Sequence, residues 1–313
     1  MVISTEEVDM RLSRWGRSPY ETQEDIRIER EALEKHVEVL SEGADAEVVV
    51  VHSKIPAGQK LLDAAPSLGL LVTTTSGTDH IDLGLMAGAG VAVCRLPGPR
   101  RDAVVEATMG MIIWSLRRFG VMDDWARCGR WGRGLLPEVA PRLLSSARVG
   151  VVGLGVIGEE VARQLTHAGA EVWGCDPSGI PDHLRASSID EMVGHCDVVS
   201  LHCDLNSGSA GMISASRLAG AHPGLILVNT ARGGLVDTAA ALQAVQQGGI
   251  AGLCLDVFPD EPADLGPFAA HPRVLVTPHA AGYHDRLADL IREDLEAVVQ
   301  AWVHSQPLPH VVR

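Results

Sequence analysis

Three glycines and one acid carry the clearest chemistry in this chain. Val149 to Gly158 reads V-G-V-V-G-L-G-V-I-G, and Asp176 closes the next apolar run. Gly153, Gly155 and Gly158 form G-x-G-x-x-G after a strand-like Val149–Val152 segment. The first glycine permits a tight turn, the second lets backbone approach a pyrophosphate, and the third lets a helix pack closely. Val156 and Ile157 open that helix, whose N-terminal amides face an anion. Asp176 suits the two hydroxyls of an adenosine ribose and repels a 2′-phosphate. No Arg or Lys follows at Pro177 or Ser178. The pattern predicts a dinucleotide site for NAD rather than NADP.

A second set of polar residues falls near the ends of later apolar runs. Arg232 sits in V-N-T-A-R-G-G, Glu261 in D-V-F-P-D-E-P and His279 in T-P-H-A-A-G. Loops at the carboxyl ends of strands form the ligand crevice of doubly wound sheets. An Arg offers a planar fork for a carboxylate. A His carries a proton near neutral pH. A Glu beside it stabilises imidazolium and orients the ring. Together they suit a 2-keto or 2-hydroxy acid.

Elements to hold these residues are legible. Apolar runs alternate with helical periodicity, which predicts α/β architecture with parallel sheets. Strands are expected at 2–4, 48–52, 70–75, 91–94, 149–152, 171–175, 198–202, 225–229, 252–256 and 274–277. Long helices are expected at about 102–119 and 285–303. A dinucleotide fingerprint opens its own domain, so the preceding residues belong to another. The reading is two Rossmann-like, doubly wound parallel-sheet domains with a cleft between them. The first, flavodoxin-like and substrate-binding, takes residues 1–100 plus 284–313. The second, NAD-binding, takes 101–283.

Composition bounds the function. The chain has 313 residues, 46% hydrophobic and 21% charged, ordinary for a globular protein. A net charge of −14 argues against nucleic acid, which needs a basic face. Six cysteines without metal or C-x-x-C spacing suggest reduced thiols in a cytoplasm, and no metal site is expected. No signal peptide or membrane span is expected.

Five ordered motifs now make a resemblance plain: G-L-G-V-I-G (153–158), L-H-C-D-L-N-S-G-S-A-G-M-I (201–213), V-N-T-A-R-G-G-L-V-D (228–237), D-V-F-P-D-E-P (256–262) and T-P-H-A-A-G (277–282). A-P-S-L (65–68) and S-G-T-D-H-I-D-L (76–83) add to them. The chain resembles the D-isomer-specific 2-hydroxyacid dehydrogenases over roughly residues 45–300. The resemblance implies hydride transfer between NAD and C2 of a small D-2-hydroxy acid or its 2-keto form, with domain closure around the reactants. It implies that Arg232 binds the carboxylate and polarises the carbonyl, that His279 is the acid and base, and that Glu261 supports His279. Amides of Ser76 and Gly77 would also hold the carboxylate. Asp256 would meet the nicotinamide carboxamide. Thr230, Ala231, His202, Cys203, His279 and Gly282 would line the cofactor. A homodimer is implied, and the segment 122–141, with Trp125 and Trp131, is expected to contribute to its interface.

Departures sharpen the expectation. Asp204 replaces the usual proline in H-x-P-L, placing an acid near the adenosine end. Arg100 stands where the family commonly has Asn, with Arg101 beside it. One of them is expected to meet a second anionic group on the substrate: carboxylate, phosphate or phosphonate. The bland reading makes them solvated or paired with Asp102 or Glu106. As imidazoles for chemistry, His52, His80, His202 and His271 are read as structural. Glu261 argues against formate as substrate, where Gln would stand; phosphite stays open. The alternative from another class is an NAD(H)-sensing, corepressor-like binding protein with little turnover.

Overall fold

The computed structural model describes residues 10–18 and 20–312. The strand expected at 2–4 lies outside them. The chain divides into two compact units, one running to Arg100 and resuming at Tyr283, the other spanning Arg101–Gly282.

The first unit holds a parallel five-stranded sheet: β1 (Arg11–Trp15), β2 (Glu38–Val39), β3 (Val48–Val51), β4 (Leu70–Thr73) and β5 (Ala92–Arg95). The order β2-β1-β3-β4-β5 is the flavodoxin-like one. In β3, Val48 and Val50 pack with Leu70, Val72 and Leu295, whereas Val49 and Val51 pack with Leu61, Leu71 and Met86. The period-2 alternation therefore feeds two cores, one on each face. Each fully buried Val or Leu contributes roughly 1.5–3 kcal/mol. The helix Leu287–Val303 covers one face through Leu287, Ile291, Leu295, Val298 and Val299.

The pattern R-L-S-R-W of β1 has the charges of a surface strand, and the sequence reading passed over it. The structure buries it because partners arrive from elsewhere. Arg14 pairs with Glu21 and Glu29, and Arg11 with Glu47. A buried arginine is tolerable only with such partners.

The second unit holds β6 (Arg148–Val152), β7 (Glu171–Cys175), β8 (Arg185–Ala186), β9 (Val198–Leu201), β10 (Ile226–Asn229), β11 (Gly252–Leu255) and β12 (Val274–Val276). All pair in parallel, in the order β12-β11-β10-β9-β6-β7-β8. The order reverses direction at β6 and β9, the switch point where such sheets bind ligands. The short edge strand β8 was not anticipated; its two residues carry no periodic signal.

The helix expected at 102–119 spans Gly98–Leu116. Pro99 explains the early start, since a proline in the first turn removes only an amide that has no helical acceptor. Arg100 and Arg101 thus lie in a helical first turn rather than in a loop. Asp82 caps Leu83–Gly88, accepting from the Leu85 amide at 2.9 Å.

Candidate active site

The glycine turn is built for close approach. Gly153 has φ +89°, in the left-handed region that glycine tolerates. A Cβ on Gly153 would lie 2.6 Å from the Cys203 amide nitrogen, and one on Gly158 would lie 1.9 Å from the Gly153 carbonyl oxygen. Gly155 is different: a Cβ there would meet nothing within 4 Å. The first and third glycines are needed for the protein's own packing, and the second leaves a clear approach to the backbone. The helix Val156–His167 begins at Gly155 without a side-chain cap. Its first amides and its dipole remain available to an anion.

Asp176 follows β7, the neighbour of β6. Its Oδ2 accepts from the Leu154 amide at 2.6 Å and its Oδ1 from the Ser178 amide at 2.7 Å. The carboxylate is thereby fixed beside the glycine turn with lone pairs to spare. These features fit a dinucleotide: an open amide cradle for the pyrophosphate and a fixed acid for the ribose diol.

His202 and Cys203 back the turn from the end of β9. The His202 amide donates to Val152 O at 2.7 Å, and its Nε2 meets Ser200 Oγ at 2.8 Å. Burial pushes the His202 pKa down to about 4. Burial likewise pushes the Cys203 thiol up to about 11, so it stays protonated and unreactive. Because the folded His202 pKa lies below its ordinary 6.5, the unfolded chain binds more protons between those values. The stability it contributes is complete above pH 6.5 and lost as pH falls toward 4. His52, in the first unit, is shifted the same way. The thermal midpoint is expected to fall through this window, and His202→Asn to make the fall shallower. An equally steep profile in the variant would contradict the assignment.

The other loops leave β10, β11 and β12, three adjacent strands, so Arg232, Glu261 and His279 stand at neighbouring carboxyl ends. Asn229, fully buried at the end of β10, accepts from the Ala231 amide at 3.1 Å and donates to Arg232 O at 2.8 Å. It shapes the turn that presents Arg232, a role sequence reasoning missed. Thr108 Oγ1 donates to Val104 O at 2.8 Å, so in its 2.9 Å contact with Thr230 the Thr230 hydroxyl must donate.

Asp256 organises the His279 loop. It is buried, and its carboxylate accepts from Thr277 Oγ1 at 2.5 Å, the Ala280 amide at 2.8 Å and the Ala281 amide at 3.1 Å. Its carbonyl accepts from the His279 amide at 2.8 Å. These bonds hold His279 at φ +54°, a conformation that side-chain-bearing residues rarely adopt. Three acceptor positions are occupied, so the structure gives Asp256 a positioning role beside the carboxamide contact expected of it.

His279 Nδ1 lies 2.7 Å from Glu261 Oε2, and Glu261 Oε1 accepts from the Phe258 amide at 3.1 Å. A carboxylate only accepts, so the proton sits on Nδ1, and Nε2 has no hydrogen-bond partner among the described residues. Both side chains are partly exposed. Gly282 ends the second unit, half-buried after the loop. In the first unit, the Ser76 and Gly77 amides follow β4 and donate to no acceptor among the described residues. Arg100 donates to Thr74 O, whereas Arg101 pairs with Asp102 at 2.7 Å on the helix surface. The solvated reading therefore describes Arg101, and its placement lends no support to the substrate contact expected of it. No group of three or more His, Cys, Asp or Glu among the described residues could hold a metal.

Comparison with known proteins bears on this geometry. Residues 109–281 match the family model described as D-isomer specific 2-hydroxyacid dehydrogenase, NAD binding domain. The glyoxylate reductase of Thermofilum pendens (strain DSM 2475 / Hrk 5) is 32% identical over 271 residues, covering 82% of this chain and 78% of that protein. The D-3-phosphoglycerate dehydrogenase of Mycobacterium leprae (strain TN) is 30% identical over 86% of this chain. The match spans about half of that longer protein, 51%. The crystal structure of D-lactate dehydrogenase from Aquifex aeolicus, complexed with NAD and lactic acid, superimposes with a TM-score of 0.81. It is 30% identical, with 94% of this chain and 96% of that one covered.

Proposed function

The chain belongs to the D-isomer specific 2-hydroxyacid dehydrogenase family, and on that premise we propose that it interconverts a small D-2-hydroxy acid and its 2-keto form with NAD. The observation that carries this reading is the alignment of three loops on adjacent strands, with His279 Nδ1 held by Glu261 and Nε2 left available. Bound nicotinamide supplies the hydride in reduction and accepts it in oxidation. Gly155, the amides that open the helix after it, and Asp176 would hold the cofactor. Arg232 binds the carboxylate and draws electron density from the carbonyl. In reduction, C2 gains a hydride and its oxygen gains a proton from His279 Nε2. Glu261 stabilises the imidazolium before that transfer and keeps the ring in place. In oxidation, the same nitrogen removes the hydroxyl proton.

The finer reading is a substrate with a second anionic group. Arg100 supports it, as a cation whose hydrogen bond among the described residues goes to a carbonyl rather than a carboxylate. A reduced, cytoplasmic setting belongs to the same reading and is supported by six unpaired cysteines. No helix among the described residues is long and apolar enough to cross a membrane.

The direct test is NADH oxidation at 340 nm with a panel of 2-keto acids. Turnover supports the enzyme. Tight NADH binding without turnover on any member would favour the sensor instead.

A homodimer is also part of the proposal. Trp131 is 89% exposed, and the helix Phe119–Arg127 has no buried residue. Exposed aromatics beside an uncovered helix suit an interface between copies. Native mass spectrometry is expected to show a dimer, and Trp131→Glu to shift it toward monomer; a monomeric parent protein would refute this.

A further inference from the structure

Around Arg100 the first unit gathers hydrogen-bond donors with no anion to receive them. Strands β3 and β4 are paired with Val51 opposite Thr73. His52 and Thr74, the next residues, therefore stand at neighbouring carboxyl ends, roughly 4.8 Å apart in the pairing direction. The Arg100 guanidinium is tied over this edge by its bond to Thr74 O. Among the described residues no carboxylate lies within ion-pair distance of it. Glu21 is the acid whose charge it feels. That acid is already held by Arg14 at 2.8 Å and by Arg17 at 2.9 Å. A guanidinium has five N–H donors and stays charged even where burial disfavours it. Desolvating such a cation without an anion is unfavourable unless a ligand supplies one.

His52 adds a neutral donor. Its Nδ1 accepts from the Lys54 amide at 3.4 Å, which puts the ring proton on Nε2. Burial, and then the nearby Arg100 charge, hold its pKa down to about 4, so the ring is uncharged at neutral pH. Thr74 is almost wholly buried, and its Oγ1 has no hydrogen-bond partner. His52, read from the sequence as structural, thus stands at the strand end next to the one that holds Arg100, a cation with no carboxylate partner among the described residues.

We propose that Arg100 and the His52 Nε2–H together bind a second anionic group carried on C3 of the substrate, which selects C4 2-keto and 2-hydroxy dicarboxylates and three-carbon phosphonate analogues over monoanions. The proposal rests on the 2-hydroxyacid reading above. With the C1 carboxylate at the Ser76 and Gly77 amides, only Thr75 separates that anchor from Thr74 and the guanidinium bonded to it. A carboxylate or phosphonate on C3 spans about one strand spacing. A further methylene, as in 2-ketoglutarate, has to fold back. A methyl group, as in pyruvate, leaves Arg100 without an anion.

The test is steady-state reduction by NADH of oxaloacetate, phosphonopyruvate, 2-ketoglutarate, pyruvate and glyoxylate. The enzyme is compared with its Arg100→Met, Arg100→Lys, His52→Leu and Arg101→Ala variants. The unmodified protein is expected to prefer oxaloacetate or phosphonopyruvate over pyruvate by about 100-fold in kcat/KM, the scale of one charge-assisted pair. Arg100→Met is expected to remove that ratio, Arg100→Lys to restore part of it, and His52→Leu to lower it about 10-fold. Arg101→Ala is expected to leave the ratio where it was. Equal losses on pyruvate and oxaloacetate in Arg100→Met would overturn the proposal. So would a preference of the unmodified protein for pyruvate or 2-ketoglutarate. Failure on every keto acid, glyoxylate included, would overturn the underlying reading and this proposal with it.

Discussion

His279→Asn is expected to lower kcat/KM for 2-keto acid reduction by about 1,000-fold, within the range for loss of a positioned general acid. The choice of Asn separates chemistry from folding. Position 279 has φ +54°, and Asn adopts that region far more readily than most residues. The backbone amides of residues 279–281 would keep their bonds to Asp256. The His279 side chain is more than half exposed and is bonded to Glu261. Its removal therefore leaves no cavity, and the thermal midpoint should stay within about 2 °C, the effect of less than 1 kcal/mol in a unit of this size. A companion variant, Glu261→Gln, keeps an oxygen acceptor for Nδ1 but removes the charge that favours imidazolium. It is expected to cost about 10- to 100-fold in kcat/KM. A loss below 10-fold in His279→Asn, measured with saturating NADH, would show that the proton comes from another group.

Gly233→Ala should have the largest effect on stability. A Cβ at this position would lie 1.9 Å from the carbonyl carbon of Phe258 and 2.4 Å from Pro259 N. Both obstacles are backbone, so no rotamer change relieves the overlap. The turn after β10 and the loop after β11 must separate, and those carry Arg232 and Glu261. The expected cost is about 3 kcal/mol or more, seen as a fall of roughly 6–12 °C in the thermal midpoint. Activity should fall with it, since spreading these loops moves Arg232, the proposed carboxylate anchor, away from Glu261, the proposed support of His279. Gly155→Ala is the contrast: nothing in the protein lies within 4 Å of the added methyl. It should fold normally and weaken NADH binding, as measured by fluorescence titration. An unchanged midpoint in Gly233→Ala would mean that the two loops are not packed as described.

Much of this protein was legible from residue order because its signals are local. A glycine turn depends on residues that adjoin in sequence, and so does the acid that closes the following strand. Apolar runs such as Val48–Val51 declare themselves as strands because both faces of a parallel sheet are buried. Arg232, Glu261 and His279 stood out as polar residues just after such runs.

Other features depend on what packs alongside and could not be read from a stretch of chain. β1 is a strand because Glu21 and Glu29 neutralise Arg14 within the fold, and its own composition argues against burial. Asn229 and Asp256 looked like the ends of strands, yet their side chains hold the turns that aim Arg232 and His279. Arg100 and Arg101 are adjacent and chemically identical. Helix geometry turns the first toward Thr74 and the second toward Asp102. Composition and spacing determined which chemistry this chain carries. Which side chains are desolvated, and which donors lack acceptors, was decided only when distant segments came together, because burial and hydrogen bonding depend on neighbours in space rather than in sequence.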